Sequence, residues 1–141
     1  MFFKTSKLIR CYWLQIFFIV AMESAIVSCQ REKYSEEMTP ASLYEGIKDG
    51  DYFVMFYTTM CSTCRVVTRY WEQLAKDYNR PNSPVTIGRM NCDEAEEYCA
   101  ERIRYFPTYF YFKKDQEKPI LYTGGFTSSA FTSYIKEMSY Q

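Results

Sequence analysis

The most constraining feature of the sequence is a cysteine pair, Cys61 and Cys64, that stands between two distinct hydrophobic patterns. Residues 52–57 are all apolar or aromatic without alternation, which is typical of a strand buried on both faces. Across residues 65–78, apolar side chains recur at spacings of three and four, which predicts an amphipathic helix. The sequence therefore predicts a strand, a tight turn and a helix, with both cysteines at the start of the helix.

This position gives Cys61 the surroundings of a reactive thiol. At a helix start its sulfur faces unpaired backbone N–H groups and the positive end of the helix dipole, which stabilise a thiolate. The thiolate is the attacking species in disulfide exchange, and a second cysteine one turn later can displace a mixed disulfide. We therefore expect Cys61 to be the nucleophile and Cys64 to be the buried resolving thiol.

Two other interpretations of the pair remain open. It could form a purely structural disulfide, or it could be half of a zinc site completed by Cys92 and Cys99. The second pair has six intervening residues, whereas structural zinc sites typically space paired cysteines by roughly two to four. A C-x-x-C motif beside a βαβ pattern favours redox chemistry.

Composition removes most other kinds of chemistry from a chain of 141 residues, which is long enough for one domain. Histidine is absent, so the usual general base, the usual catalytic triad and the commonest metal ligand are all missing. Seventeen basic and seventeen acidic side chains cancel, so no basic field exists to hold nucleic acid. We expect no metal and no cofactor, and the six cysteines are the main candidates for chemistry.

Residues 1–29 have the layout of a secretory signal peptide. The first ten residues carry three basic side chains and no acid, and residues 11–22 are almost wholly apolar. Glu23 ends this run short of the roughly 18 to 20 residues that a membrane span needs. We expect cleavage near Cys29; an uncleaved signal anchor is the alternative, and only that alternative would hold the protein at a membrane.

A secretory signal predicts an oxidising compartment, either the endoplasmic reticulum lumen or the exterior of the cell. Residues 138–141 lack a retrieval signal of the Lys-Asp-Glu-Leu type. Retention in the endoplasmic reticulum would then need a partner, an anchor or a further segment.

The rest of the chain alternates helical and strand patterns. Residues 30–38 are polar and are predicted to be a solvated lead-in, with the domain covering residues 39–141. The alternation predicts an α/β fold whose parallel pairing ends in an antiparallel hairpin over residues 108–123. The predicted helices cover a segment from Pro40, residues 94–104 and residues 128–138, and the further strands cover residues 85–90, 108–112 and 120–123.

The ordered motifs resemble the thioredoxin family, and within it the protein disulfide isomerase branch. The resemblance covers residues 38–138 and rests on four segments in register: Phe53–Tyr57 followed by Cys61-Ser62-Thr63-Cys64, then Asn91-Cys92-Asp93 with Cys99, then Tyr105-Phe106-Pro107-Thr108, then Tyr122–Phe126. It implies a thioredoxin fold, with a central mixed sheet flanked by helices.

The resemblance also implies roles for residues outside the cysteine pair. Pro107 would be a cis-proline facing that pair, so that Phe106 presents backbone groups to an extended substrate. Substrate contacts would come from Met60, Phe106, Pro107 and Thr108. In relatives with equivalents of Cys92 and Cys99, those cysteines form a second, structural disulfide. Buried free thiols are the alternative for that pair.

The implied activity is that of a thiol–disulfide oxidoreductase that exchanges disulfides in client proteins of the secretory pathway. Its partners would be unfolded or disulfide-containing clients, and glutathione or another thiol oxidoreductase. The rival interpretation is a non-catalytic module that binds clients or partners and keeps its C-x-x-C pair as a structural disulfide.

Four departures from the family pattern predict weakened oxidase activity. Met60 replaces the usual tryptophan, and Ser62 and Thr63 replace glycine and histidine, so no cation can stabilise the thiolate from that position. Met55 stands where many relatives bury an acid that accepts the proton of the resolving cysteine. Phe126 stands where an arginine often helps that transfer.

The aromatic strand over residues 109–112 alternates, so we expect two of its side chains to face inward and two outward. A partly exposed pair beside Met60 and Phe106 could bind clients, although packing into the core is the favoured role for these large apolar side chains.

Overall fold

The computed structural model describes residues 33–116 and 118–140, so the predicted signal peptide over residues 1–29 lies outside the described residues. Nine elements follow one another in the described part of the chain. They are β1 (Glu36–Glu37), α1 (Pro40–Gly46), β2 (Asp51–Tyr57), α2 (Ser62–Tyr78), β3 (Val85–Asn91), α3 (Glu96–Arg102), β4 (Thr108–Phe112), β5 (Ile120–Leu121) and α4 (Ser128–Ser139).

The strands form one mixed sheet in the order β1-β3-β2-β4-β5. Strands β1, β3 and β2 are parallel, while β4 is antiparallel to β2 and β5 is antiparallel to β4. This arrangement confirms the predicted mixed sheet flanked by helices, including the closing hairpin. No helix within the described residues is both long and apolar enough to cross a bilayer.

Local sequence signals set the helix ends. Thr39 caps α1 through a capping box with Ser42, and Pro40 takes the first position. Thr127 caps α4, because its hydroxyl accepts a hydrogen bond from the Ala130 N–H. Helix α3 is shorter than predicted, and its N-cap Ala95 makes no side-chain cap bond.

Helices cover both faces of the sheet and bury two separate clusters. Phe53 and Met55 of β2 pack in the cluster that includes side chains of α2 and α4, while Val54 and Phe56 pack in the cluster that includes Leu43 of α1. Strand β2 is therefore buried on both faces, as its unbroken apolar run predicts.

The same two-sided cover makes the prediction for the aromatic strand wrong. Tyr109 and Tyr111 lie in the first cluster, and Phe112 lies in the second with Phe110 packed against it. Three of these side chains are at most 5% exposed, so no outward-facing pair exists on β4. The expected packing role is what the structure has.

The prediction of a solvated lead-in over residues 30–38 is wrong where the structure describes it. Glu36 and Glu37 form the edge strand β1, which pairs in register with Gly88 and Arg89 of β3. The flanking Ser35 and Met38 are 7% and 6% exposed. The charged composition gave no indication of β1, because Glu37 is charged yet binds a buried cation.

That cation is Arg89, which joins the N-terminal segment to α2. Its Nε donates to Glu37 Oε2 at 2.8 Å and its Nη1 donates to Glu72 Oε1 at 3.3 Å. The Glu72 carboxylate also accepts hydrogen bonds from the backbone N–H groups of Tyr34 and Ser35 and from the Ser35 hydroxyl. Both Arg89 and Glu72 have side chains that are 8% exposed.

Candidate active site

Helix α2 begins directly after Cys61, whose sulfur caps it. Cys61 has extended backbone angles, and its Sγ accepts a hydrogen bond from the Cys64 N–H at 3.0 Å. A helix cap is usually a serine, threonine or aspartate oxygen that accepts such a bond. Here the sulfur of Cys61 holds that place, where backbone N–H groups and the helix dipole favour negative charge on it.

The two cysteines form a disulfide with unequal access to solvent. Their sulfurs lie 2.15 Å apart and their Cα atoms 5.2 Å apart. Cys64 is 2% exposed, whereas Cys61 is half-buried. An incoming thiolate from another protein therefore reaches Cys61 and not Cys64.

The turn before Cys61 is fixed by Asp93, a contact that the sequence reasoning missed. Asp93 Oδ2 accepts hydrogen bonds from the Thr59 N–H at 2.7 Å and from Thr59 Oγ1 at 2.6 Å. These bonds hold the pKa of Asp93 below its ordinary value of 3.8. The neighbouring Cys92 N–H donates to the Tyr57 carbonyl at 2.8 Å. The two residues that follow β3 thus hold the turn at Tyr57, where it starts, and at Thr59, in its middle.

Cys92, the neighbour of Asp93 in the sequence, forms a second disulfide with Cys99. Their sulfurs lie 2.07 Å apart, and the two residues are 5% and 3% exposed. The four cysteines therefore pair into two disulfides instead of meeting at one point as a four-thiolate zinc site requires. No group of three or more His, Cys, Asp or Glu residues in the described ranges could hold a metal ion.

Pro107 lies at the same end of the sheet as the turn to Cys61. The Phe106–Pro107 peptide bond is cis. Thr108, the first residue of β4, pairs with Phe56 near the end of β2, from which the turn departs. Pro107 and Thr108 are buried, Phe106 is half-buried, and Thr108 Oγ1 donates to the Tyr105 carbonyl. Phe106, Pro107 and Thr108 therefore lie at the end of the sheet from which the turn to Cys61 departs.

Three large apolar side chains are exposed on the loops of this part of the chain. Met60 is 87% exposed, Tyr105 is 57% exposed and Phe126 is 44% exposed. The inner side of Phe126 packs on Tyr109, with ring centroids 5.6 Å apart. Phe126 therefore adds an apolar contact where the family pattern often has a cation.

A row of four residues crosses the sheet beneath α2: Glu37, Arg89, Met55 and Tyr109, one from each of β1, β3, β2 and β4. Met55 is 1% exposed and brings no titratable group to this row. The Glu37 carboxylate is already bound to Arg89. The Tyr109 hydroxyl has no hydrogen-bond partner within the described part of the chain, and burial raises the pKa of Tyr109. This row therefore offers no ready proton acceptor at its centre.

Comparisons with known proteins agree with this geometry. The family model described as thioredoxin matches residues 29–137. The chain is 30% identical over 112 residues to the Thioredoxin domain-containing protein 5 homolog of Drosophila melanogaster, covering 78% of this chain and 27% of that protein. It is 32% identical over 104 residues to a protein disulfide-isomerase of Arthroderma benhamiae, covering 69% of this chain and 20% of that protein.

A solved structure shows the same fold. The first two thioredoxin domains of Naumovozyma dairenensis Eps1p match with a TM-score of 0.70 at 22% identity, over 79% of this chain and 43% of that chain. The chain spans about a quarter or less of the length of the two curated relatives named above. The family match over most of the sequence, the mixed sheet and the Cys61-x-x-Cys64 pair together show that the chain belongs to the thioredoxin family.

Proposed function

We propose that the protein is a thiol–disulfide oxidoreductase of the protein disulfide isomerase type, which exchanges disulfides in client proteins of the secretory pathway. The observation that carries this proposal is the position of the half-buried Cys61, whose sulfur caps α2 and is bonded to the sulfur of the buried Cys64. Disulfide exchange needs one sulfur within reach of another protein and one held back, and this pair has that arrangement.

In the proposed reaction, the reduced Cys61 thiolate attacks one sulfur of a client disulfide. The client's other sulfur leaves as a thiolate, which takes up a proton, and a mixed disulfide remains on Cys61. Cys64 then loses its proton and attacks the Cys61 sulfur, which releases the second client thiolate and restores the Cys61–Cys64 disulfide. The client is reduced by two electrons and the protein is oxidised by two, and the reverse sequence introduces a disulfide.

Clients would contact the loops around Cys61. Met60 supplies an exposed apolar side chain, and the backbone of Phe106, ahead of the cis bond to Pro107, supplies hydrogen-bonding groups to an extended chain. Cys92 and Cys99 would act as a structural staple under the anchored turn. Glutathione or a second thiol oxidoreductase would reset the redox state of the pair.

The oxidase direction is proposed to be weak. Strong oxidants in this chemistry stabilise their reduced form, usually with positive charge beside the attacking thiolate. Thr63 is exposed and uncharged, and Met55 leaves the buried row beneath α2 without an acid at its centre. Both features leave nucleophile and resolving thiol in place and weaken the proton handling around them.

Insulin reduction by the full chain, with Cys61→Ser as the inactive control, tests the activity. A measured reduction potential in glutathione buffers tests the direction. We expect a potential more reducing than that of typical disulfide isomerases, and a value as oxidising as theirs would contradict the weakened-oxidase proposal.

A client-binding module with a fixed disulfide is the second candidate, and the exposed Met60 and Tyr105 favour it because they would hold a client without any exchange. Trapping with Cys64→Ala separates the two candidates. An exchange enzyme accumulates mixed disulfides through Cys61, while a binding module forms none.

The proposed place of action is the endoplasmic reticulum lumen or the exterior of the cell. Two disulfides within one small domain are typical of proteins that fold in an oxidising compartment. Fractionation of cells that express the full chain, with protease protection, would test this location, and a protein exposed to the cytosol would contradict it.

A further inference from the structure

The sulfur atoms of the described residues differ sharply in their access to solvent. This part of the chain holds five methionines and four cysteines. The cysteines are all in disulfides. Four methionines are buried and one is open to solvent: Met38 at 6%, Met55 at 1%, Met90 at 0% and Met138 at 5%, against Met60 at 87%. Within the described residues, Met60 is therefore the only sulfur that is both exposed and not bonded to another sulfur.

Met60 is also next to the reacting atom. It directly precedes Cys61, so the Cα atoms of the two residues are about 3.8 Å apart. The turn that carries Met60 is fixed in place by the hydrogen bonds from Thr59 to Asp93. The exposed Met60 side chain therefore adjoins the residue that a client disulfide must reach, on a turn whose backbone is held in place.

We propose that peroxides oxidise Met60 selectively, and that its sulfoxide lowers the affinity of the domain for polypeptide clients without blocking disulfide exchange itself. The proposal deepens the proposed function and rests on it, because oxidation would act on the surface that receives clients. It assigns a regulatory modification to a residue whose family counterpart, tryptophan, has no thioether.

The chemistry is a two-electron transfer from the thioether to hydrogen peroxide. The Met60 sulfur attacks one peroxide oxygen, the O–O bond breaks, an S–O bond forms, and the departing oxygen leaves as water after proton transfer. Sulfur is oxidised by two electrons and peroxide is reduced by two. Cys61 and Cys64 do not compete while they are joined as a disulfide, because neither of their sulfurs is then a thiolate.

Oxidation would change the client surface and leave the fold intact. A thioether is apolar, polarisable and flexible, so it adapts to varied apolar partners. A sulfoxide is polar and chiral, and it disrupts apolar contacts. The buried methionines are shielded, so the core is unaffected. Losing the apolar contact of one exposed methionine is expected to weaken client affinity about tenfold.

The test uses the full chain in its disulfide form, treated with dilute hydrogen peroxide and quenched with catalase. Peptide mapping by mass spectrometry measures the sulfoxide at each methionine. Client affinity is measured as the fluorescence anisotropy of a labelled apolar peptide that lacks cysteine, and exchange is measured with insulin and with the small disulfide 5,5′-dithiobis(2-nitrobenzoate). The matched control is Met60→Leu, treated identically and compared with its own untreated sample.

We expect sulfoxide at Met60 well before Met38, Met55, Met90 or Met138. We also expect about tenfold weaker peptide binding, an insulin KM raised by a similar factor at constant kcat, and unchanged rates with the small disulfide. Treated Met60→Leu should show no change. Preferential oxidation of a buried methionine, unchanged peptide binding after Met60 is oxidised, or an equal loss in treated Met60→Leu would each overturn the proposal.

Failure of the proposed function would look different. If no form of the protein reduces insulin or the small disulfide, then the oxidoreductase assignment fails. The peptide map and the anisotropy titration need no exchange chemistry, so they would still decide whether oxidation of Met60 controls binding.

Discussion

Met55 offers the sharpest test of the proposed mechanism, because the substitution Met55→Glu returns an acid to the row beneath α2. In the proposed reaction Cys64 must lose a proton before it can attack the mixed disulfide. A carboxylate at this position would accept that proton. Met55 is 1% exposed, so an introduced carboxyl group would be desolvated and its pKa would rise toward neutral pH, where a general base works best.

The structure also sets the cost of this change. Burial of a methionine contributes roughly 1.5 to 3 kcal/mol that the substitution forfeits, and a buried carboxylate carries a desolvation penalty of several kcal/mol. Arg89 is the register partner of Met55 on β3, and its guanidinium would offset part of that penalty. We expect a net loss of about 2 to 4 kcal/mol in the free energy of unfolding.

The assay is stopped-flow reduction of insulin from pH 5 to pH 9, with urea unfolding of each variant to show that it is folded. General-base help of this kind contributes at least about a hundredfold in optimised sites, and we expect a ten- to hundredfold faster resolving step in this unoptimised one. The gain should appear as pH rises through the pKa of the introduced carboxyl. Met55→Gln, which matches the size without the charge, should show no gain. A folded Met55→Glu protein that is no faster than Met55→Gln at any pH would refute the reasoning.

Three further predictions concern single side chains. Glu72→Gln should lower the free energy of unfolding by about 3 kcal/mol in urea titrations, because it leaves buried donors poorly paired. The exposed control Glu45→Gln, which breaks only a surface ion pair, should cost under about 0.5 kcal/mol. Equal costs for the two substitutions would contradict the buried, hydrogen-bonded role of Glu72. Thr63→His should raise the reduction potential in glutathione buffers by about 30 mV above that of the unchanged protein when the imidazole is charged, since about 1.4 kcal/mol of thiolate stabilisation corresponds to that shift. The potentials of both proteins fall as pH rises, so the readout is the difference between them, and a difference that stays constant through about pH 6.5, the usual imidazole pKa, would be inconsistent with a charge effect. Asp93→Ala should destabilise the protein at neutral pH, as measured by thermal unfolding. Because the pKa of Asp93 is depressed in the folded protein, its contribution to stability is present above pH 3.8 and is lost as pH falls below that value. The stabilities of the two proteins should therefore converge in acid, and a constant difference down to pH 2 would rule out this linkage.

Features that depend on neighbouring residues could be predicted from the sequence. The unbroken apolar run of β2, the cysteines at the start of α2 and the Thr127 cap all follow from local pattern and backbone chemistry. The cluster assignment of β4 could not be predicted, since alternation along Tyr109–Phe112 says nothing about whether a helix covers the second face.

Features that depend on partners distant in sequence could not be predicted from local pattern. Glu36 and Glu37 look like solvated charge, and only the position of Arg89 on the neighbouring strand turns them into an edge strand. Glu72 looks like a polar residue on an amphipathic helix, yet it is 6% exposed. The role of Asp93 is equally hidden in the sequence, because its bonds to Thr59 span 34 positions.

The carboxylate of Glu72 has a consequence for proteolytic processing of the chain. It accepts hydrogen bonds from the backbone of Tyr34 and Ser35, the latter across a separation of 37 residues. A protease that cuts before Lys33 leaves these bonds in place. A protease that cuts after Ser35 removes these donors, and of the partners described above only Arg89 then remains for the buried Glu72 carboxylate. The middle of α2 therefore sets the last position at which the N-terminus can be trimmed without loss of stability.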